Sequence, residues 1–216
     1  MLAINTAFMT ANLALKTANG VVLTKDIDAK SKHSENVLKT IDEMCESLGV
    51  SVLDVQTVAV VVGPGSFTGL RIGTAIAKAL GCVNEKLRFL ALSSLELMAY
   101  IVAKDKTVSE DFVCVLNALS GLYFVQTFDR DGNKKSDAKM IGVDEFEKIT
   151  LPKFALKGDL RGGDLHEIEI ACDDVLQFAL LEERRGKFIA EDKLEPVYLR
   201  LSQAEDNLAK IKKKSV

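Results

Sequence analysis

An uninterrupted apolar run in the first half of the chain constrains the fold more than any other feature. Residues 57–62 read Thr-Val-Ala-Val-Val-Val, which is mostly β-branched and has no polar residue at alternate positions. A strand with one face in water alternates apolar and polar side chains. The run therefore predicts a central strand that is covered on both faces.

Strand and helix patterns surround this run in a regular order. A helical period of apolar residues over 34–48 predicts an amphipathic helix, and Ser93 with Glu96 three residues later is typical of the cap that opens a helix. Asn19-Gly20 predicts a hairpin turn, because both residues tolerate positive φ. The first half thus reads β-β-β-α-β-α-β-α, with further predicted strands at 2–5, 12–16, 21–24 and 88–92 and further helices from 66 and over 93–103.

The second half repeats this order in outline. The polar stretch 104–111 predicts a boundary between an N-terminal lobe, 1–106, and a C-terminal lobe, 107–216. Two units of antiparallel hairpin, helix, strand and helix indicate a duplicated α/β fold with mixed sheets, as in actin, sugar kinases and heat-shock ATPases. The predicted elements of the second lobe are strands at 112–117, 122–128 and 154–157 and helices at 143–149 and 173–185.

Charge and cysteine content exclude several classes of protein. The net charge of -3 argues against a protein that holds nucleic acid over a broad basic surface. The four cysteines lie singly with no Cys-x-x-Cys pair, so we expect buried, reduced thiols at Cys45, Cys82, Cys114 and Cys172. No stretch is long and apolar enough to span a membrane, and residues 1–15 lack the basic start of a secretory signal. We therefore expect a cytoplasmic protein.

The two histidines, His33 and His166, predict no metal site. They form neither His-Glu-x-x-His nor a pair one helical turn apart, and both are expected at the surface. No Ser-His-Asp combination stands out either, which disfavours a peptidase.

Residues 62–73 read Val-Gly-Pro-Gly-Ser-Phe-Thr-Gly-Leu-Arg-Ile-Gly, the most informative stretch of the chain. A turn that enters a Ser66-capped helix presents backbone N–H groups, so Gly63, Gly65 and Ser66 are a candidate anion-binding turn. The turn is not a Walker A loop, because Leu70 stands where that loop needs lysine, and the glycine spacing is too long for a dinucleotide-binding fingerprint. It is not a nucleophile elbow either, because Pro64 and Thr68 stand where that motif needs glycines. Ser66 is therefore interpreted as a helix cap.

The helix that follows carries a stripe of small residues, Gly69, Gly73 and Ala77, within a wide apolar arc. One interpretation is an internal helix whose glycines approach its own sheet. The other is a partner-binding helix whose small residues let a second helix come near. The composition leaves both open.

Residues 63–73 resemble the signature of the TsaB family, also called YeaZ. Ile-Asn-Thr at 4–6, Ser-Ser-Leu-Glu at 93–96 and Pro-Val-Tyr-Leu-Arg at 196–200 fall where that family places them, so the resemblance covers most of the chain. It implies an actin-like fold and a subunit without an active site of its own, which pairs with its paralogue TsaD, the transferase that adds threonylcarbamoyl to the adenosine beside the tRNA anticodon. It also implies the ATPase TsaE as a further partner and a homodimer when TsaD is absent.

Two positions depart from the family pattern. Asn5 stands where the family usually has aspartate, and Asn-Ala-Leu at 117–119 stands where it often has Asp-Ala-Arg. An amide lacks the charge with which an actin-like enzyme places metal and phosphates. We expect no cofactor on the chain alone, and ATP or ADP only in an assembled complex. An actin-like small-molecule kinase and a regulatory module unrelated to tRNA remain the alternatives.

The resemblance and the apolar arc together predict that helices 34–48 and 66–80 form the TsaD-binding face. Lys210 to Lys214 is a basic tail that could touch tRNA, whose contact with this chain is expected to be indirect. The candidate partner-binding residues are Val37, Ile41, Met44, Phe67, Leu70, Arg71, Gly73, Thr74, Ala75 and Lys78.

Overall fold

The computed structural model describes residues 1–28, 33–106, 108–160 and 164–199, so Arg200 and the basic tail lie outside the described residues. The strands are β1 Leu2–Asn5, β2 Thr10–Lys16, β3 Val22–Asp28, β4 Thr57–Gly63, β5 Arg88–Ser93, β6 Phe112–Leu119, β7 Leu122–Phe128, β8 Lys139–Gly142, β9 Lys153–Leu156, β10 Leu165–Ile168 and β11 Phe188–Ile189. The α-helices are α1 His33–Leu48, α2 Phe67–Val83, α3 Ser94–Lys104, α4 Val143–Phe146 and α5 Cys172–Arg184.

Apart from the additional edge strand β11 of the first sheet, the two sheets have the same strand order, which confirms the predicted duplication. The first sheet runs β11-β5-β4-β1-β2-β3 and the second runs β10-β9-β6-β7-β8. In each sheet an antiparallel three-stranded meander is followed by two parallel strands. The second sheet joins β9 to β10 through a connection much shorter than α2. The long helix α2 is therefore a feature of the first lobe.

Strand β4 is buried along its whole length, as the apolar run predicts. Val58 and Val60 point to a core that α1 and α2 cover, whereas Ala59 and Val61 point to a second core that α3 and α5 cover. The chain thus has helices on both faces of its first sheet, which is the arrangement of an α/β fold.

The structure differs from the predicted division of the chain at its C-terminal end. Helix α5 packs on the first sheet through Val175, Leu176 and Phe178, β11 pairs with β5, and Leu194 is fully buried in the first core. Helix α3 covers only part of the face of the first sheet that carries Ala59 and Val61, and the apolar side of α5 covers the rest of that face. Residues 172–194 therefore pack with the N-terminal lobe.

Within the part of the chain that is described, no helix combines the length and the apolar character needed to cross a membrane.

Candidate partner-binding face

The small residues of α2 face the inside of the protein. A Cβ on Gly69 would overlap the Thr6 carbonyl oxygen, and a Cβ on Gly73 would lie 2.6 Å from Thr6 Oγ1. The Thr6 hydroxyl also donates a 2.7 Å hydrogen bond to the Gly69 carbonyl, and Ala77 is fully buried. The glycines therefore allow the β1–β2 turn to approach α2. The interpretation in which this stripe receives a partner helix is wrong.

Six of the ten candidate partner-binding residues lie in the protein's own interior, which corrects the prediction for them. The apolar side of α1 covers the first sheet, and the inward side of α2 packs on β4 and the β1–β2 turn. The six side chains on these sides are therefore not accessible to a partner. The buried six are Val37, Ile41, Met44, Leu70, Gly73 and Thr74.

The other four candidates, Phe67, Arg71, Ala75 and Lys78, lie on the outside of α2. Arg71, Ala75 and Lys78, together with Cys82, which was not a candidate, follow each other at intervals of three or four residues, so they share one face. Ala75 and Cys82 are exposed and Lys78 is half-buried. We call Arg71, Ala75, Lys78 and Cys82 the outer stripe. The exposure of Cys82 corrects the expectation that all the cysteines are buried, and it follows from the position of this residue on the stripe.

A segment from the C-terminal end lies across the beginning of α2. The Val197 N–H donates a 2.8 Å hydrogen bond to the Val62 carbonyl at the end of β4. A Cβ on Gly63, whose φ is +126°, would lie 2.9 Å from the Val197 carbonyl oxygen, so only glycine fits there. This contact brings Tyr198 next to Phe67, with 4.8 Å between the ring centroids.

Phe67 and Tyr198, which contact each other, both contact the side chain of Arg71. The guanidinium carbon lies 3.9 Å from the centre of the Phe67 ring, and Arg71 Nε donates a 2.9 Å hydrogen bond to the Tyr198 hydroxyl. We call these three residues the aromatic clamp. Sequence reasoning missed Tyr198 and Val197 as site residues, although the Pro-Val-Tyr-Leu-Arg segment at 196–200 was a signal that could have pointed to them.

The candidate anion-binding turn serves internal packing. Ser66 Oγ accepts a 3.2 Å hydrogen bond from the Gly69 N–H, which confirms Ser66 as the helix cap. The Ser66 N–H donates to the Ala7 carbonyl at 2.8 Å, and a Cβ on Gly65 would lie 2.7 Å from that same oxygen. The N–H of Ser66, one of the three candidate residues, and the N–H of Gly69 in the first turn of α2 are therefore bound within the chain, which contradicts the anion-binding interpretation for Ser66.

Asn5 lies fully buried in a hydrogen-bond network of amide groups that ends on the carboxylate of Asp26. Its Nδ2 donates to Asn12 Oδ1 at 2.7 Å, and its Oδ1 accepts from the Ala7 N–H at 3.1 Å. Asn12 Nδ2 donates in turn to Asp26 Oδ1 at 2.7 Å. Both polar atoms of the Asn5 amide are thus bound to protein atoms, and this side chain carries no charge.

Asn117 makes a similar local network in the second lobe. Its N–H donates to Asp159 Oδ2 at 2.8 Å, and its Oδ1 accepts from the Leu119 N–H at 2.8 Å. Burial raises the pKa of the Asp159 carboxyl. Among the described residues no cluster of histidine, cysteine or carboxylate side chains has the geometry of a metal site. His166 is exposed and stacks on Phe154 with 4.9 Å between ring centroids.

Changing Asn5 to aspartate is expected to lower the free energy of unfolding by about 2 kcal/mol. The new carboxylate would face Asn12 Oδ1, and turning the Asn12 amide over would set its oxygen against the Asp26 carboxylate instead. Urea unfolding measures the effect against Asn19→Asp, the same change at an exposed hairpin position. Equal midpoints for the two variants would show that the network is not needed.

Comparison with known proteins adds independent findings. The family model described as TsaD, tRNA N6-adenosine threonylcarbamoyltransferase, matches residues 14–169. The tRNA threonylcarbamoyladenosine biosynthesis protein TsaB of Escherichia coli K12 is 27% identical over 230 aligned residues, with 93% of this chain and 94% of the relative covered. A tRNA N6-adenosine threonylcarbamoyltransferase of Geobacter metallireducens is 29% identical over 147 residues, covering 61% of this chain and 42% of the relative.

Solved structures show the same fold. The crystal structure of a Pseudomonas aeruginosa protein, described as similar to peptidase YEAZ, has a TM-score of 0.75 at 21% identity, with 92% of this chain and 98% of that chain covered. A structure of YeaZ from the same organism has a TM-score of 0.73 at 20% identity with the same coverage. At this level of identity the likeness concerns the fold, which is the duplicated actin-like one.

Proposed function

This chain belongs to the TsaB (YeaZ) family, and we propose that it is a non-catalytic subunit that binds and activates a TsaD-type transferase. Its role is then in the biosynthesis of threonylcarbamoyladenosine in tRNA, the process for which the Escherichia coli relative is named. The transferase relatives that match this chain over a shorter stretch support a partner of the same ancestry.

The observation that carries the proposal is the outer surface of α2. Phe67 and Arg71 of the informative motif and Ala75, two residues beyond it, are exposed together on this surface. Aromatic and arginine side chains are enriched at the centre of protein interfaces, and a small residue such as Ala75 lets a partner helix lie close. We therefore propose that the outer stripe and the aromatic clamp form the contact with the transferase.

The absence of catalysis by this chain is part of the proposal. The amide groups of Asn5 and Asn117 make hydrogen bonds within the chain. These are the two positions where an actin-like kinase needs carboxylates. ATP or ADP is then a ligand of the assembled complex only, TsaE is a further partner, and the contact with tRNA is indirect. In the absence of the transferase the same face would join two copies of this chain.

Activation requires that this chain bind the productive state of the transferase more tightly than other states. Coupling of this kind is typically about 1–3 kcal/mol, which corresponds to roughly 5–150-fold in the affected equilibrium.

Reconstitution of the modification reaction tests the proposal. Transferase and TsaE from the same organism, tRNA and a threonylcarbamoyl donor are incubated with and without this chain, and the modified adenosine is measured by mass spectrometry. Omission of this chain is expected to lower the yield at least about tenfold. Undiminished modification without the chain would refute the proposal. ATP turnover by the chain alone would favour the kinase alternative.

A further inference from the structure

The guanidinium of Arg71 has two terminal nitrogens that no described residue binds. Its Nε is bound to Tyr198, but across the described ranges neither of its two terminal nitrogens has a hydrogen-bond partner and no carboxylate lies within 4.0 Å. A guanidinium offers five N–H donors in a rigid plane that matches a carboxylate with two parallel hydrogen bonds. The two terminal nitrogens of Arg71 can therefore donate a pair of hydrogen bonds to the oxygens of such a carboxylate.

The aromatic clamp fixes the direction of the guanidinium fork before any partner arrives. The guanidinium carbon lies 3.9 Å from the Phe67 ring centre and 5.8 Å from that of Tyr198, and the Nε hydrogen bond sets its rotation. An exposed arginine normally loses side-chain freedom when it is bound. Here the stacking and the hydrogen bond have already restricted that freedom, so a ligand gains more from each contact.

The charges around the fork favour an acidic partner. Helix α2 contains no acidic residue, and its two charged residues, Arg71 and Lys78, are both basic and lie on the outer stripe. The apolar surface beside them favours a protein over a small anion, because Phe67, Val197 and Tyr198 are 38%, 45% and 43% exposed. A helix or loop that covers these side chains would also remove water from the ion pair, whereas free phosphate would leave them exposed.

We propose that Arg71 is a specificity-determining residue that receives an aspartate or glutamate side chain of the transferase, through two parallel hydrogen bonds from its terminal nitrogens. This inference rests on the proposed function and adds the chemistry of the contact. Tyr198 and Phe67 act as positioning residues that hold the fork toward the partner.

Binding affinity in nucleotide-free buffer tests the inference. The dissociation constant of the transferase is measured by calorimetry for wild type, Arg71→Met and Arg71→Lys. Loss of one member of a desolvated, hydrogen-bonded charge pair is expected to weaken binding about 30-fold for Arg71→Met. Arg71→Lys keeps the charge without the fork and is expected to lose about tenfold. Lys187→Met removes an exposed positive charge elsewhere and is expected to change the affinity less than about twofold.

A second variant reads out the positioning role. Tyr198→Phe keeps the ring and the charge of Arg71 but removes the hydroxyl that accepts its Nε hydrogen bond. We expect a loss of about threefold, with the dependence of binding on salt unchanged, whereas Arg71→Met should reduce that dependence. The carboxylates of the transferase are then replaced by amides one at a time. One of these replacements should weaken the binding of the wild-type chain but should not weaken the binding of Arg71→Met any further.

The outcomes separate this inference from the proposed function. If wild-type chain does not bind the transferase, the proposed function fails. If wild type binds and Arg71→Met binds equally well, the inference alone is overturned. The double variant Glu205→Gln with Asp206→Asn tests whether Arg71 pairs with a carboxylate of this chain's own C-terminal residues instead of one from the transferase. Affinity within about twofold of wild type is expected for that double variant, and a change as large as that of Arg71→Met would overturn the inference.

Discussion

Replacing Gly69 by alanine is expected to lower the free energy of unfolding by about 3 kcal/mol or more. The added Cβ would overlap the Thr6 carbonyl oxygen and would lie 3.0 Å from the Thr6 carbonyl carbon, and both atoms belong to backbone. Backbone cannot rotate away as a flexible side chain does. Either α2 must move off the β1–β2 turn or the 2.7 Å hydrogen bond from Thr6 to the Gly69 carbonyl must break.

Gly142→Ala provides the matched control for this prediction. A Cβ at Gly142 would meet nothing within 4 Å, and the residue has a φ of −89° that alanine adopts freely. Urea unfolding should therefore place the midpoint of Gly142→Ala near that of wild type and the midpoint of Gly69→Ala far below it. Similar midpoints for the two variants would contradict the close packing of α2 on the turn.

Replacing Ala75 by glutamate is expected to weaken transferase binding at least about 100-fold while the chain stays folded. Ala75 is exposed at the middle of the outer stripe, so the larger side chain has room in the free protein. In the proposed complex it would separate the two helices and bury a charge without a partner. Light scattering after gel filtration measures the mass of the mixture with the transferase from the same organism.

Thr150→Glu adds the same charge at an exposed position of the second lobe and serves as the control for Ala75→Glu. Circular dichroism should show both variants folded, and Thr150→Glu should form the complex as wild type does. A complex of unchanged mass with Ala75→Glu would place the interface elsewhere on the molecule.

Much of the fold can be predicted because its signals are local. The β-branched run of β4, the caps at Ser66 and Ser93 and the hairpin at Asn19-Gly20 each follow from a few neighbouring residues, and each is present in the structure. The repeated order of elements also predicts the duplication. Strands β8, β10 and β11 were missed because they are short and partly exposed, so they carry no clear alternation.

The candidate site was harder to predict, because helical periodicity does not say what covers each side of a helix. The wide apolar arc of α2 is compatible with a sheet on either side, and only the position of Thr6 shows that Gly69 and Gly73 face inward. Tyr198 reaches Phe67 from more than a hundred positions away in the sequence, through a backbone hydrogen bond between Val197 and Val62. Tertiary contacts of this kind leave no local signal.

The reactivity of Cys82 tests the central claim, that the transferase covers the outer stripe, in the unaltered chain. Cys82 is exposed, whereas Cys45, Cys114 and Cys172 are buried. Burial raises the pKa of the Cys114 thiol, and burial together with a hydrogen bond to Asp26 raises the pKa of Cys172 to about 12. Because the thiolate is the form that reacts, iodoacetamide at about pH 8 should label Cys82 first.

The measurement is the rate of Cys82 alkylation, followed by mass spectrometry, with and without saturating transferase. We expect the complex to slow the reaction at least about tenfold, because the thiol lies on the same face of α2 as Arg71 and Ala75. An unchanged rate in a sample that light scattering shows to be fully in complex would contradict the account.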